Sequence, residues 1–347
     1  MKNFNSIRAI ALTAITHQNV NAQDIAGESS YMLVADGKLI IGGRFEKSDR
    51  RVVNNITTWD GTKFAGLGKG IDGQCKGLAA EGKVIYAAGD FSYVNKSSDG
   101  TGAIESNRIA KWDGAAWQSL GQQTVDREVF CAAAKDGKLY IGGNFTKVGG
   151  TIETRSVAVH DGKKWSGLGN AKFDRAVTSM TFHGKDLYCG GIFTLNGDEP
   201  IERFAKWDGT AWSEPVRGGL RGIKNMASDG KNLYLVGEFG VKIFDGTKLI
   251  EIPDAPKSDM TGVFVDGNKV YIAGSFSSVK VGKKEVPTGG IAMWDGTTWT
   301  AYPTVPYTIM KCVAVYNGEL YAGGSFETQV FFGIAKLVNG AWTKVGP

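Results

Sequence analysis

The sequence is poor in the residues on which catalytic, redox and metal sites most often depend. It has four cysteines, none in a Cys-x-x-Cys pair, and only three histidines: His17, His160 and His183. Histidines so few and so scattered predict no metal cluster, and the isolated cysteines are best interpreted as buried, small hydrophobic side chains. Gly-x-Ser-x-Gly elbows and phosphate-binding loops are also absent, so the motifs of serine hydrolases and P-loop enzymes are missing.

Clustered charge and long hydrophobic runs are lacking as well. Forty Lys and Arg residues stand singly among 35 Asp and Glu residues, for a formal net charge of +5. Because nucleic-acid binding needs basic residues gathered into a stripe or patch, we expect no nucleic-acid partner. No apolar run approaches the length of a membrane-spanning helix, so we expect no integral membrane segment.

Proline is scarce, with eight residues against 49 glycines, while 42% of the chain is hydrophobic. This composition is typical of an all-β protein with many tight turns and a large core, and it differs from that of a disordered chain.

Residues 1–27 predict a signal peptide or N-terminal extension. Lys2 and Arg8 give a positive start, residues 9–15 form a short apolar run, and small residues favour cleavage after Ala22. A signal peptide implies a secreted, periplasmic or cell-surface protein. Because the apolar run is at the lower length limit for such a peptide, an ordered N-terminal strand or arm is the alternative.

The rest of the chain is organised by a repeat. A Gly-x-Phe signature recurs about every 47 residues, a period that indicates a solenoid or a propeller. The signatures begin at Gly43, Gly89, Gly143, Gly191, Gly237, Gly274 and Gly324. Because each repeat packs on its neighbours, residues 28–347 are predicted to form a single domain.

Each repeat predicts four antiparallel strands. In the third repeat, two apolar runs flank Asp136-Gly137, a pair that supplies the positive φ of a tight hairpin turn. A third run ends at Asp161-Gly162, and a fourth begins at Trp165. Such sheets bury both faces when they are arranged around an axis. The sequence therefore predicts a seven-bladed β-propeller, with blade 1 starting near Ser29 and blade 7 ending near Val345, so that repeats and blades are in phase.

The repeat also resembles a known family. The diglycine after strand 2, the aromatic of strand 3 and the Trp of strand 4 resemble the kelch repeat of galactose-oxidase-type propellers. Ile109-Ala-Lys-Trp-Asp-Gly114 and Leu139-Tyr-Ile-Gly-Gly-Asn-Phe145 are similar to repeats of bacterial surface or secreted proteins and of fungal cortical polarity-marker proteins. The resemblance covers residues 28–347 and implies a propeller. It implies no particular function, because propellers host both binding and catalysis.

Variation between repeats is concentrated in the loops that join strand 2 to strand 3. These loops range from a long segment over residues 92–107 to almost nothing between Phe239 and Val241 in blade 5. Since insertions in repeat proteins gather on one, often functional, face, we expect binding there. Blade 7 departs from the pattern in another way, because its third-strand turn has lost the Trp-Asp pair.

One group of charged residues is predicted to meet at the mouth of the central channel. One position before strand 1 is occupied by an aspartate in three repeats: Asp72, Asp126 and Asp174. Two further aspartates, Asp24 and Asp259, lie within two residues of that register. The next position holds three arginines: Arg127, Arg175 and Arg221. These side chains are predicted either to form inter-blade ion pairs and turn caps or to bind a cation such as calcium. No Asp-x-Asp-x-Asp spacing lies nearby.

We therefore expect a non-catalytic, cofactor-free binding or assembly module that contacts a protein partner. The expected binding residues are Asp72, Asp126, Arg127, Asp174, Arg175, Arg221, Asp259 and Tyr93. A carbohydrate-binding propeller that uses loop aromatics such as Tyr93 on a surface glycan is the first alternative. An enzyme is the second, because carboxylates from different blades can converge, although the copper ligands of galactose oxidase are not matched.

Overall fold

The computed structural model describes residues 25–48, 51–121, 125–169, 171–195, 200–304, 309–327 and 332–346. Every regular element in these ranges is a β-strand, and seven blades, each built on four antiparallel strands, form a ring; in blade 1 a short additional strand pairs with the second one. The prediction of a seven-bladed β-propeller is confirmed. Asp24 and the predicted leader up to and beyond its cleavage site at Ala22 lie outside the described residues.

The strands follow the chain in blade order. Blade 1 contains β1 (Ala26–Ala35), β2 (Lys38–Ser48), β3 (Arg51–Val52), β4 (Ile56–Trp59) and β5 (Phe64–Gly66). Blade 2 contains β6 (Gln74–Glu81), β7 (Val84–Asp90), β8 (Tyr93–Val94), β9 (Ile104–Glu105), β10 (Ile109–Trp112) and β11 (Trp117–Ser119). Blade 3 contains β12 (Val129–Lys135), β13 (Lys138–Gly143), β14 (Lys147–Val148), β15 (Ile152–Glu153), β16 (Val157–His160) and β17 (Trp165–Ser166).

Blade 4 contains β18 (Val177–His183), β19 (Asp186–Leu195), β20 (Ile201–Trp207) and β21 (Trp212–Ser213). Blade 5 contains β22 (Ile223–Ser228), β23 (Leu233–Gly237), β24 (Gly240–Phe244) and β25 (Leu249–Glu251). Blade 6 contains β26 (Met260–Asp266), β27 (Lys269–Gly274), β28 (Ser278–Val281), β29 (Lys284–Pro287), β30 (Ile291–Trp294) and β31 (Trp299–Ala301). Blade 7 contains β32 (Ile309–Tyr316), β33 (Glu319–Glu327), β34 (Phe332–Val338) and β35 (Ala341–Thr343).

The two faces of the ring differ. We call the side with the strand 2-to-3 loops and the blade-to-blade connections the loop face, and the opposite side the hairpin face. The loops of blades 2, 3 and 6 each form a two-stranded ribbon, β8–β9, β14–β15 and β28–β29. In blade 5, by contrast, only Glu238 and Phe239 separate β23 from β24, as the sequence predicted. The connection to blade 6 packs on this short loop, because a Cβ on Gly240 would lie 2.7 Å from the Pro256 carbonyl oxygen.

The hydrophobic core lies between the blades. Seven clusters of buried side chains each draw residues from two neighbouring blades, including one cluster shared by blades 7 and 1. Every sheet is therefore apolar on both faces, and burial of both faces is the main stabilising contribution of the ring. The four cysteines are unpaired and buried in these layers, as expected for small hydrophobic side chains, and burial raises the pKa of Cys75 to about 12.

The diglycine at the end of strand 2 is a point of close approach. A Cβ on Gly190 would lie 2.6 Å from Cγ2 of Ile223 in the next blade, and a Cβ on Gly191 would collide with the Ala176 carbonyl. Beside this contact every first strand has a bulge that leaves one residue unpaired, between Val177 and Ser179 in blade 4. The glycines are therefore needed for packing.

The ring closes in phase with the repeats, because β1 begins blade 1 and β32 to β35 complete blade 7 without exchanging a strand. The Trp59 indole N–H donates to the Tyr321 hydroxyl at 3.1 Å across this seam. Nearby, Nζ of Lys311 lies 2.6 Å from Glu28. Side-chain packing and hydrogen bonds thus join the first and last blades.

Candidate functional site on the loop face

The cavities open on the loop face and along the axis. A cavity of about 370 Å³ follows the channel and is lined by first strands from all seven blades. Most of its lining residues are of apolar type, with alanines such as Ala79, Ala133 and Ala227, and enclosure raises the pKa of the Tyr31 phenol. Two further cavities, of about 760 Å³ between blades 1 and 2 and about 280 Å³ between blades 2 and 3, are lined by Asp72 and Asp126 respectively.

The three aspartates before strand 1 cap the loops of their own blades. Asp72 accepts the backbone N–H groups of Ser92 and Tyr93 at 2.9 and 2.8 Å. Asp126 accepts those of Thr146 and Lys147, together with the Thr146 hydroxyl. Partial burial alone would raise the pKa of Asp126, but these hydrogen bonds lower it below its ordinary value. Asp174 accepts the Thr194 N–H at 2.5 Å.

Asp259 does not belong with these aspartates. In the register fixed by strand pairing it aligns with Glu28 and Glu128, two positions nearer strand 1. Its Oδ2 lies 2.6 Å from Nζ of Lys224 in the neighbouring blade. It is therefore one member of a set of inter-blade ion pairs.

Those ion pairs are made by the unpaired residue of the strand 1 bulge. Lys76, Lys224 and Lys311 occupy this position, and each contacts the acid of the next blade: Glu128, Asp259 and Glu28, at 2.7, 2.6 and 2.6 Å. In blades 4 and 6 the same position holds Thr178 and Thr261, whose hydroxyls donate to the Ile223 and Met310 carbonyls of the following blade. Sequence reasoning missed this set, although the recurrence of Lys at one position was a usable signal.

The three predicted arginines remain free. Arg127, Arg175 and Arg221 lie at the same position on blades 3, 4 and 5 and are exposed. Within the described ranges none of their guanidinium groups forms a hydrogen bond or an ion pair with another side chain. The predicted turn caps are thus present, whereas the described inter-blade ion pairs are made by lysines in place of these arginines, and three cations are left facing solvent near the channel mouth.

Tyr93 is the first residue of the β8–β9 ribbon, next to the cap formed by Asp72. Its ring is half-buried, and Nζ of Lys96 lies 4.8 Å from the ring centroid. One face of the aromatic ring is therefore occupied by a cation. The arrangement leaves less of Tyr93 for stacking on a sugar than an open ring would offer.

Other chemistry-bearing groups are dispersed over the part of the chain that the structure describes. No group of three His, Cys, Asp or Glu side chains there is close enough to hold a metal ion. His160 replaces a Trp of the repeat and is buried against Trp165, with burial lowering its pKa. His183 lies on the hairpin face, where its Nδ1 is 2.8 Å from the Ser228 hydroxyl.

The described ranges also hold no helix with the length and apolarity of a membrane span.

The topology defines the class of protein as a seven-bladed β-propeller. A family model described as a domain of unknown function (DUF5122) beta-propeller matches residues 134–155, within blade 3. No curated protein matches the chain. Two solved structures are similar, each at 11% sequence identity. The WD40 beta propeller domain of Doa1 aligns with a TM-score of 0.59 over 88% of this chain and 92% of that one. YCF48 bound to D1 peptide aligns with a TM-score of 0.54 over 94% of each chain. Similarity at this identity shows the fold alone.

Proposed function

We propose that this propeller is a non-catalytic protein-interaction module that binds its partner on the loop face. One observation carries the proposal: Arg127, Arg175 and Arg221 project from three consecutive blades without a described partner, while the neighbouring Asp126 and Asp174 serve as loop caps and Glu128 and Asp259 pair with lysines. Exposed arginines are enriched at protein interfaces because the planar guanidinium forms several directed hydrogen bonds. A role without catalysis is supported by the use of Asp72, Asp126, Glu128, Asp174 and Asp259 in structural contacts.

Two of the similar propellers give the proposal context. One is named as bound to D1 peptide and the other is a WD40 domain. We also infer kinship with the kelch-like repeat group and secretion to the periplasm, the cell surface or the medium. Mass spectrometry of the mature N-terminus tests the secretion inference, since a chain that still begins at Met1 would contradict it.

Site-specific photo-cross-linking tests the binding face. A benzophenone amino acid replaces Asn144, an exposed loop-face residue of blade 3, and in a matched protein it replaces Lys163, exposed on the hairpin face. In extracts of the source cells, we expect discrete protein adducts from position 144 and none from position 163. Arg127→Glu should abolish them. Equal adducts from both faces, or none from the loop face, would refute the proposal.

A glycan-binding role is the alternative outcome. It predicts saturable binding on a glycan array that Tyr93→Ala removes, without a protein adduct at position 144. A blank array together with loop-face adducts favours the protein-interaction module.

A further inference from the structure

The arginines whose side chains the structure describes are confined to one face. The eight whose side chains are described all lie in loops or at strand ends of the loop face: Arg44, Arg108, Arg127, Arg155, Arg175, Arg203, Arg217 and Arg221. Lysines occur on both faces, including Lys138 and Lys231 beside hairpin turns. No arginine follows residue 221 in the sequence, so blades 6 and 7 have none. A need for solubility would place Arg and Lys on both faces alike, because both side chains are charged. Recognition of carboxylates favours Arg over Lys and would place arginines only on the face that binds them.

The arginines divide into committed and free groups. Arg108 donates to the Val125 carbonyl at 3.1 Å, and Arg203 and Arg217 pair with Glu202 and Glu214. The free guanidinium groups of blades 3 to 5 belong to Arg127, Arg155, Arg175 and Arg221, all exposed. The carboxylates of Asp126 and Asp174, which precede two of them, are turned into their own loops as caps. Apart from Arg44 of blade 1, which is also exposed and has no described partner, the free arginines thus lie in one sector over three adjacent blades.

An exposed apolar side chain lies inside this sector. Ile192 is 48% exposed, although the same position in the other blades is polar or charged. Its N–H donates to the carbonyl of Ala176, the residue after Arg175, at 3.3 Å. Its Cγ2 lies 3.5 Å from where a Cβ on Gly222, the residue after Arg221, would be. Ile192 therefore lies beside the residues that directly follow two free arginines, Arg175 of its own blade and Arg221 of the next. Glu238 also approaches Gly222 and places a negative charge at one border.

We propose that Arg127, Arg175 and Arg221 with Ile192 bind an extended, acidic peptide segment that presents one apolar side chain. The guanidinium groups would receive the carboxylates in paired hydrogen bonds, and the apolar side chain would cover Ile192. Glu238 would repel any acidic residue of the peptide that extends past Arg221. The acidic part of the peptide would therefore lie towards Arg127, which fixes the direction in which the segment binds. This inference rests on the proposed function, because it names the partner class for the same face.

Fluorescence anisotropy on the full chain tests the proposal with labelled ten-residue peptides. One peptide contains Asp and Glu with a central Leu, the second has Ser in place of Leu, and the third has Lys in place of the acids. We expect the first to bind at least ~10-fold more tightly than the third, and to lose at least ~30-fold in Arg175→Gln/Arg221→Gln, as two charge-assisted contacts imply. Ile192→Ser should weaken the Leu peptide by ~5-fold and leave the Ser peptide unchanged.

The matched control is Lys138→Gln/Lys231→Gln, which removes the same charge from the hairpin face and should change affinity less than ~3-fold, as expected from long-range charge alone. Each variant must keep the melting temperature of the wild type. Equal binding of all peptides, or equal loss in the control, would overturn the inference. Tighter binding of oligo(dT) or a heparin hexasaccharide would overturn it as well, by revealing a general polyanion surface. Loop-face adducts that survive Arg175→Gln/Arg221→Gln would refute the acidic segment and leave the proposed function intact.

Discussion

At the scale of single residues, close packing between blades decides which side chains are allowed. Gly190 is the clearest case, because the space that its Cβ would need is occupied by Ile223 of the next blade. Ile is β-branched and stiff at χ1, so it cannot swing away without strain. Other blades hold Ala88, Val236 or Ala273 at the first glycine position, so a side chain is accommodated at those interfaces.

Gly190→Ala is therefore expected to destabilise the protein by about 1–3 kcal/mol through overpacking, as measured by urea denaturation. The loss should be smaller in an Ile223→Ala background, where the cavity receives the new methyl group. An equal loss in both backgrounds would contradict the contact as the cause.

At the scale of elements, the aspartates before strand 1 organise the loops on which binding is proposed. Asp126 joins the start of blade 3 to the β14–β15 ribbon through the N–H groups of Thr146 and Lys147. The ribbon has only two residues per strand, so its own ladder gives it little stability. The Asp126 carboxylate, which is not part of the ribbon, therefore holds the ribbon in position.

Asp126→Ala should cost about 0.5–2 kcal/mol, the range of capping side chains, and speed hydrogen exchange at the Thr146 and Lys147 amides. Asp126→Asn retains an acceptor oxygen and should keep most of the protection. Because hydrogen bonding lowers the pKa of Asp126 in the folded state, its contribution is present above the unfolded pKa and is lost as pH falls through the folded value. Acidification should therefore narrow the difference between wild type and Asp126→Ala, and a constant difference would contradict the cap.

At the scale of the whole molecule, stability depends on closing the ring. The first and last blades contact each other through one of the seven inter-blade layers, where Trp59 and Tyr321 are both nearly inaccessible to solvent. The Tyr321 hydroxyl accepts from Trp59 and donates to Glu319 at 2.9 Å. These two hydrogen bonds connect Trp59 of blade 1 with Tyr321 and Glu319 of blade 7, across the interface that closes the ring.

Tyr321→Phe should destabilise the propeller by about 1–3 kcal/mol, because the buried Trp59 N–H loses its acceptor. Tyr140→Phe is the matched control, since Tyr140 occupies the same position in blade 3 and its hydroxyl bonds to no described residue. Differential scanning calorimetry should show a lower melting temperature only for Tyr321→Phe. A similar decrease for both variants would mean that the seam has no special role.

The sequence by itself determined the fold, the number of blades and the in-phase closure, because turns, strand alternation and close-packing glycines are local features that recur in every repeat. It also indicated the loop face and the residues Asp72, Asp126, Asp174, Arg127, Arg175 and Arg221. Only the tertiary structure decided what these charges do. Hydrogen-bond partners of Asp126 are 20 residues or more away, and the lysines that pair with Glu28, Glu128 and Asp259 come from another blade. A repeat in the sequence gives the position of a side chain within its blade, whereas its partner depends on how neighbouring blades meet.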